Sequence, residues 1–252
     1  MTSTTKTTRI PSFDGTELAV HRMGDGRPVV LVHGLFSSAE MNWIKYGHAE
    51  KLAKAGFEAI IPDLRAHGHS DAPEDPAAYP RDVLVQDLKA VVASLGVEDY
   101  DLVGFSLGAR TSARGVVEGL TPRRLVLAGM GIEGLDNWDR RAAFFVDMLE
   151  RYDSIERGDP AFFAYSFFKT MKMNRAAARL LLGAVDDIGR GDLARITMPT
   201  LVLCGDEDRD NGDPVALADA LPDAKFEEIP GTHMGCVIKP ALGKAIEGFL
   251  SA

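Results

Sequence analysis

The sequence predicts an α/β fold in which a mostly parallel central sheet carries helices on both faces. Two patterns indicate this fold. Short apolar runs of strand length alternate with longer segments of helical periodicity, and reactive or glycine-rich residues follow several of the runs. The chain has 252 residues, of which 46% are hydrophobic and 26% charged. That is enough for one well-buried domain with a small insertion.

Seven runs are predicted to be strands. The first run alternates between apolar and polar residues, as a half-buried strand does. The turn Gly24-Asp25-Gly26 follows it and predicts that the first and second strands form an antiparallel hairpin at one edge of the sheet. The second is continuously apolar, as a central strand would be. Residues 2–8 are expected to be a frayed tail. The predicted strands are 17–22, 28–32, 59–62, 100–103, 124–128, 200–204 and 225–229.

Helical patterns separate these runs. One covers about 40–55 and stops at Gly56, another has Pro80 in its first turn, and later ones cover 214–220 and 238–250. Residues 132–197 contain no apolar run typical of a strand and instead have helical patterns rich in aromatic residues. We expect residues 132–197 to form a helical cap over the sheet's C-terminal edge, and 1–131 with 198–252 to form the core.

Composition excludes several functions. The formal net charge of −9 argues against nucleic acid and anionic membrane surfaces as partners. Cys204 and Cys236 fit neither a disulfide framework nor a zinc site. With no apolar run near 20 residues and no signal-peptide core, we expect a cytoplasmic protein that binds no membrane. The sequence leaves open whether it is a monomer or a homodimer.

One motif organises the chain. Gly104-Phe105-Ser106-Leu107-Gly108 lies between an apolar run and a helical pattern of small residues. This is the G-x-S-x-G arrangement, in which the serine occupies a sharp strand-to-helix turn. The flanking glycines are expected because residues two before and two after the serine approach each other closely. The turn would expose the serine hydroxyl at a helix N-terminus, where an oxyanion is favoured.

Four predicted strand ends carry candidate groups, namely His33-Gly34, Ser106, Asp208 and His233. Such ends meet at one edge of a parallel sheet. With these motifs in the order serine, acid, histidine, the sequence resembles the α/β-hydrolase superfamily from about residue 10 to 250. It is most similar to small, capped, cofactor-free serine hydrolases, such as carboxylesterases, enol-lactonases and perhydrolases. The resemblance implies a cap after the sixth strand, no cofactor and no metal.

The resemblance assigns the catalytic roles. It implies Ser106 as nucleophile, His233 as base, and an acid three residues after Gly205, which is Asp208. Two neighbouring carboxylates are alternatives for the acid. Asp206 is expected to serve a turn or helix cap and Asp210 to be a solvated loop charge. The oxyanion would be bound by the backbone amides of Leu35 and Leu107.

Other candidate residues receive structural interpretations. His33 is expected to hold the oxyanion loop, and His67 and His69 beside Asp63 to belong to a structural loop rather than a metal site. An apolar substrate pocket is expected to be lined by Phe36, Leu107 and part of the cap aromatic set. The cap residues proposed for the pocket are Phe144, Phe163 and Phe167.

The predicted function is hydrolysis of a small or medium carboxylic ester through an acyl-serine. Three alternatives stay open. A carbon–carbon bond hydrolase acting on a vinylogous 1,5-diketone would need a cationic or polar cap pocket, which the sequence does not locate. A lactonase or perhydrolase would differ in pocket shape and water access, and a non-catalytic member would only bind a small ligand. Ser106 argues against haloalkane dehalogenases and epoxide hydrolases, because those enzymes use an aspartate nucleophile.

Overall fold

The computed structural model describes residues 5–96 and 98–252, and within them one sheet of eight strands. The seven predicted strands are all present, with ends that shift by at most two residues. The strands are β1 (Lys6–Pro11), β2 (Glu17–Gly24), β3 (Arg27–Val32), β4 (Phe57–Pro62), β5 (Asp101–Phe105), β6 (Leu125–Ala128), β7 (Thr200–Gly205) and β8 (Ala224–Ile229).

The sheet is mostly parallel, as predicted. Its strand order is β1-β2-β4-β3-β5-β6-β7-β8. Strands β3 to β8 run parallel to their neighbours, and only the pairs β1–β2 and β2–β4 are antiparallel. Because parallel strands end on the same side, the loops after β3, β5, β7 and β8 meet at one edge.

Helices cover both faces of the sheet. Alternate residues of each strand point to opposite faces, so Val29 and Leu31 belong to one apolar core while Val30 and Val32 belong to the other. The helices are α1 (His48–Lys54), α2 (Val83–Leu95), α3 (Leu107–Val117), α4 (Glu133–Asp136), α5 (Trp138–Glu150), α6 (Phe162–Thr170), α7 (Arg175–Leu182), α8 (Pro214–Ala220), α9 (His233–Val237) and α10 (Pro240–Ser251). Helices α1, α9 and α10 pack on the first core, and α2, α3 and α8 on the second.

The start of the chain differs from the prediction. Lys6–Pro11 forms an edge strand, so the frayed tail expected over 2–8 is wrong for residues 6–8, whereas residues 2–4 lie outside the described residues. The predicted hairpin of β2 with β3 is also wrong, because β4 lies between them. Gly24 and Gly26 instead allow close packing on the turn before β4. A Cβ there would lie 2.4 Å from Phe57 O or 2.2 Å from Gly56 O.

Three predicted helices begin or break elsewhere. The helix over 40–55 consists of a π-helical turn, Glu40–Ile44, and α1, because Gly47 between them is left-handed with φ 77°. Helix α2 begins at Val83 rather than near Pro80, since Asp82 also has a positive φ of 56°. The final predicted helix is α10, which begins at Pro240.

The stretch between β6 and β7 is helical. It contains α4 to α7 and two 3₁₀ turns, Tyr152–Ser154 and Arg190–Arg195, in agreement with the loss of strand patterns there. Its insertion after the sixth strand is as predicted, whereas the division of the chain into core and cap domains stays a prediction. None of the described helices is both long and apolar enough to cross a membrane.

Candidate active site

The chain turns sharply between β5 and α3, and Ser106 occupies the turn. Its φ of 54° and ψ of −117° are a backbone conformation that a residue with a side chain rarely adopts. The Ser106 amide donates to the carbonyl of Ala128 at the end of β6, at 2.8 Å, which helps hold the strained residue in place. The G-x-S-x-G motif therefore has the strand–turn–helix context that it requires.

Gly104 and Gly108 are needed because the backbone is crowded on both sides of this turn. A Cβ added to Gly104 would lie 2.3 Å from Gly108 O, and one added to Gly108 would lie 2.2 Å from Val32 O. Any larger residue would push α3 away from β5 or from β3. The predicted reason for the two glycines, close approach of the flanking residues, is confirmed.

Ser106, His233 and Asp208 form a hydrogen-bonded row where β5, β8 and β7 end. Ser106 Oγ lies 3.0 Å from His233 Nε2, and His233 Nδ1 lies 2.8 Å from Asp208 Oδ2. All three residues are buried. Because an ionised carboxylate only accepts, the ring carries its proton on Nδ1 and keeps Nε2 free to accept from the serine hydroxyl.

The surroundings keep Asp208 ionised. Burial by itself raises the pKa of this carboxyl, but hydrogen bonds from His233 and the Asp210 amide, with the Arg141 guanidinium nearby, hold that pKa below its ordinary value. The Asp210 amide donates to Asp208 Oδ1 at 3.0 Å. The carboxylate can therefore orient the imidazole and stabilise its protonated form.

The other two aspartates of this loop have different partners. Asp206 Oδ1 accepts from the Gly231 amide at 2.6 Å, so it joins the loop after β7 to the loop that carries His233. Asp210 is exposed, as expected. Within the described residues, only Asp208 among the three hydrogen-bonds the His233 ring.

The amides of Leu35 and Leu107 lie on the two segments expected to bind the oxyanion. Leu107 is the first residue of α3, and within residues 5–96 and 98–252 neither amide donates to a protein acceptor. The Leu35 segment passes beside the serine, since a Cβ added to Gly34 would lie 3.4 Å from Ser106 Cβ. Two available N–H groups and a helix N-terminus therefore lie next to Ser106.

Two buried histidines hold the loop after β3. His33 Nε2 accepts from the Leu64 amide at 3.0 Å, and its Nδ1 donates to the Gly34 carbonyl at 2.8 Å. His67 Nε2 accepts from the Phe36 amide at 3.0 Å. Burial lowers the pKa of both rings, that of His67 to about 3, so both are neutral near pH 7. His33 thus has the structural contacts that were expected, and His67 shares that task.

His69 groups with Asp63 and His21 rather than with His67. The ligand atoms of His21, Asp63 and His69 lie within 4.8 Å of one another, a grouping that could hold a metal ion. Asp63 already has structural partners, since Oδ1 accepts from the Ala39 amide at 2.7 Å and Oδ2 from the His69 amide at 2.8 Å. This carboxylate therefore joins the surrounding loops through hydrogen bonds.

A cavity of about 840 Å³ opens over Ser106 and His233, between the strand-end loops and helices α5 and α6. The four phenylalanines predicted for the pocket all line it, and Phe163, at 85% exposure, stands at its mouth. The Leu107 side chain, also expected there, is 3% exposed and packs in the apolar core instead. The predicted phenylalanines that line it are Phe36, Phe144, Phe163 and Phe167, and Phe105 and Phe145 line it as well.

The cavity also has cationic residues that the sequence did not assign. Arg140 and Arg141 on α5 and Arg209 after β7 line it. The Arg140-Arg141 pair can be recognised in the sequence of the predicted cap, but the spacing of residues along a helix does not determine which helix face lines the cleft. Arg209 is held by the backbone, since its guanidinium donates to the carbonyls of Asp208 and Asp206 at 2.8 and 2.9 Å.

Asn42 is a second residue that the sequence did not indicate. It lines the cavity, is only 2% exposed, and its Oδ1 accepts from the Gly34 amide at 3.1 Å. Its Nδ2 has no partner among the described residues. Asn42 therefore holds the loop that carries Leu35 through the Gly34 amide, whereas His33 holds it through the Gly34 carbonyl.

Known proteins share this architecture. The alpha/beta hydrolase fold family matches residues 27–171, which is more than half of the chain. The AB hydrolase superfamily protein YisY of Bacillus subtilis is 29% identical over 222 residues, 79% of this chain and 81% of that protein. An esterase from Exiguobacterium antarcticum superposes with a TM-score of 0.79 at 21% identity, covering 98% of this chain and 100% of its own. The enol-lactonase from Burkholderia xenovorans LB400 superposes with a TM-score of 0.76 at 22% identity, covering 97% and 100%. This chain belongs to the alpha/beta hydrolase fold family.

Proposed function

We propose that the protein is a serine hydrolase that cleaves small or medium carboxylic esters through an acyl-serine intermediate. The observation that carries the proposal is the His233 ring, bonded to Ser106 at 3.0 Å and to Asp208 at 2.8 Å. A serine hydroxyl is a weak nucleophile until a base takes its proton, and this ring has its free lone pair on the hydroxyl. Family membership supports a hydrolase, and the esterase of similar fold supports an ester substrate.

In the acylation half, Ser106 Oγ attacks the ester carbonyl carbon while its proton passes to His233 Nε2. The carbonyl oxygen becomes an anion that accepts from the amides of Leu35 and Leu107. Asp208 stabilises the imidazolium. His233 then gives the proton to the alcohol oxygen as the carbon–oxygen bond breaks, and the alcohol leaves an acyl group on Ser106.

In the deacylation half, a water molecule takes the place of the alcohol. His233 Nε2 accepts a proton from that water as its oxygen attacks the acyl carbon. A second oxyanion forms against the same two amides, and its collapse breaks the bond to Ser106 Oγ. His233 returns the proton to Ser106, and the carboxylic acid leaves.

The cavity agrees with a substrate of this size. Its volume of about 840 Å³ falls within the usual range of small-molecule sites, roughly 300–1,000 Å³. Six phenylalanines and Ala164 provide apolar surface for an acyl chain or alcohol. The nucleophile stands at the bottom of this surface, beside the oxyanion amides.

The test compares wild-type protein with Ser106→Ala on p-nitrophenyl acetate and p-nitrophenyl butyrate. We expect the wild type to turn both over and the variant to lose about 10⁴-fold or more in kcat. A fluorophosphonate probe should label the wild type only, and matching circular dichroism spectra would show that the variant is folded. Equal activity of the two proteins contradicts the proposal. Labelling of the wild type without turnover of any ester in a panel would favour a ligand-binding role.

One alternative reaction is favoured by a specific observation. Carbon–carbon bond hydrolysis of a vinylogous 1,5-diketone requires a cationic or polar pocket for the substrate's carboxylate, and Arg140 and Arg141 line this cavity. The same three residues would serve that reaction. Turnover of such a diketone, followed by its visible absorbance, at a higher kcat/KM than any ester would replace the ester proposal.

A further inference from the structure

We propose that the substrate is an ester that also carries a carboxylate, and that Arg141 binds this carboxylate inside the cavity. The inference rests on the proposed ester hydrolysis and narrows its substrate class. It is carried by the surroundings of one guanidinium that lines the cavity and, among the described residues, forms no ion pair with a carboxylate.

Arg141 lies on α5 with its side chain partly buried against the cavity wall. Its Nη1 donates to the carbonyl oxygen of Asp210. Within residues 5–96 and 98–252, no other protein acceptor binds the guanidinium and no carboxylate forms an ion pair with it. Its Cζ lies 5.8 Å from the centre of the Phe145 ring. Most of its five N–H donors are therefore available to a ligand.

The buried arginines elsewhere show what such a group needs. Arg65 is fully buried and pairs with Asp87 at 2.7 Å and with Asp14 at 2.6 Å. Arg110 is 2% exposed and pairs with Asp187 at 2.6 Å. Burying a charge without a counterion is unfavourable. Arg141 differs from these two arginines because its free donors open onto the cavity rather than onto a carboxylate.

The charge of the cavity wall points the same way. The protein has a net charge of −9, yet Arg140, Arg141 and Arg209 line the cavity against two acidic residues, Glu133 and Asp210. Glu133 already accepts from the Asp213 amide at 2.8 Å. Three arginines on the wall of one cavity in an acidic protein offer cationic groups to which an anionic ligand can bind.

Carboxylate is the anion that this site fits best. The planar guanidinium fork matches the two oxygens of a carboxylate, and the pair is stronger in a cavity shielded from water. Burial lowers the pKa of Arg141, while Asp210 and Asp208 nearby raise it in part, and the group stays charged near neutral pH. The hydrolysis itself would bind the ester carbonyl at Ser106, so the carboxylate belongs to another part of the substrate.

Two substrate pairs test the proposal, one for each side of the ester. On the acyl side, p-nitrophenyl hydrogen adipate is compared with p-nitrophenyl 6-methylheptanoate, where an isopropyl group replaces the carboxylate. On the alcohol side, 4-acetoxybutanoate is compared with 4-methylpentyl acetate. Each pair is measured with wild type, Arg141→Met, Arg141→Lys, and Arg157→Met as a control that removes an exposed cap arginine away from the cavity.

We expect the wild type to favour the carboxylate member of at least one pair by about 10- to 100-fold in kcat/KM, the range of a charge-assisted hydrogen bond. Arg141→Met should bring that ratio to about 1 and Arg141→Lys should keep part of it. Arg157→Met should leave it unchanged.

Three results would overturn the proposal. The first is that the wild type prefers the carboxylate member of neither pair but still hydrolyses neutral esters through Ser106. The proposed ester hydrolysis would then remain supported. The second is an equal loss on both members of a pair in Arg141→Met, which would make Arg141 a positioning residue for the Asp210 loop. The third is no turnover of any ester by the wild type, which removes the proposed function as well.

Discussion

Replacing Asp208 with asparagine removes one charge from the candidate site while keeping the size of the side chain. Asp208 Oδ2 accepts the Nδ1 proton of His233 at 2.8 Å, and Oδ1 accepts from the Asp210 amide at 3.0 Å. An asparagine has one oxygen for these two donors. If its NH₂ group faces the ring, the ring proton moves to Nε2, and the imidazole then donates to Ser106 instead of accepting from it.

The expected loss in Asp208→Asn is about 10⁴-fold in kcat on p-nitrophenyl butyrate, or about 5 kcal/mol of transition-state stabilisation. KM should change little, because Asp208 is 3% exposed and does not line the described cavity wall. Initial rates over a range of substrate concentrations separate the two constants, and a urea titration shows whether the variant is folded.

Asp206→Asn and Asp210→Asn are the matched controls, since each removes the same charge from the same loop. Asp206→Asn weakens a bond to the Gly231 amide and should mainly lower stability, by about 1 kcal/mol at this exposed site. Asp210→Asn should change kcat by less than about threefold, because the hydrogen bonds of Asp210 to Arg141 and Asp208 are made by its backbone. The assignment of Asp208 fails if Asp208→Asn stays within tenfold of wild type while one of the controls loses most of its activity.

Two further predictions concern the loop after β3. Asn42→Ala leaves the Gly34 amide without its acceptor, so the free energy of unfolding, measured by urea titration, should fall by about 1–3 kcal/mol. In steady-state assays kcat should fall by less than the roughly 100-fold loss that removal of an oxyanion donor causes. An unchanged kcat would show that this bond does not position the loop. His67 has a pKa of about 3 in the folded protein and about 6.5 in the unfolded chain. Between these two pH values the imidazole is protonated only in the unfolded chain. As the pH falls below about 6.5, His67 should therefore lower the free energy of unfolding by about 1.4 kcal/mol per pH unit. Urea titrations of wild type and His67→Asn between about pH 7 and pH 5 test this, and an equal slope in both proteins would contradict it.

The interior strands of the sheet could be predicted because each of them is recognisable from its own short stretch of sequence. Strands β3, β5, β6 and β7 are buried on both faces, so they read as continuous apolar runs. The order of the candidate residues followed from the same reasoning, since parallel strands end at one edge. The row of Ser106, Asp208 and His233 then needed the family resemblance, because spacing alone does not separate Asp208 from Asp206.

The features that the sequence did not indicate depend on contacts between distant segments. β1 has no fully buried residue and exists through pairing with β2, so its composition shows no apolar run. The neighbour of β2 is decided by the packing of Gly24 and Gly26 against the turn before β4, not by the short loop to β3. In the cap, helical periodicity located the aromatic residues, but the rotation of α5 about its axis decides that Arg141 meets the cavity.

The contact between Gly108 and Val32 has a practical consequence for altering this protein. It brings the first turn of α3 against the end of β3, so the segments that present the Leu107 and Leu35 amides pack directly on each other. Leu35 lines the cavity, whereas Leu107 is 3% exposed and does not line it. A mutant library that randomises position 35 can therefore vary the shape of the cleft while both amides stay in place, whereas the same library at 107 or 108 would disturb the scaffold itself.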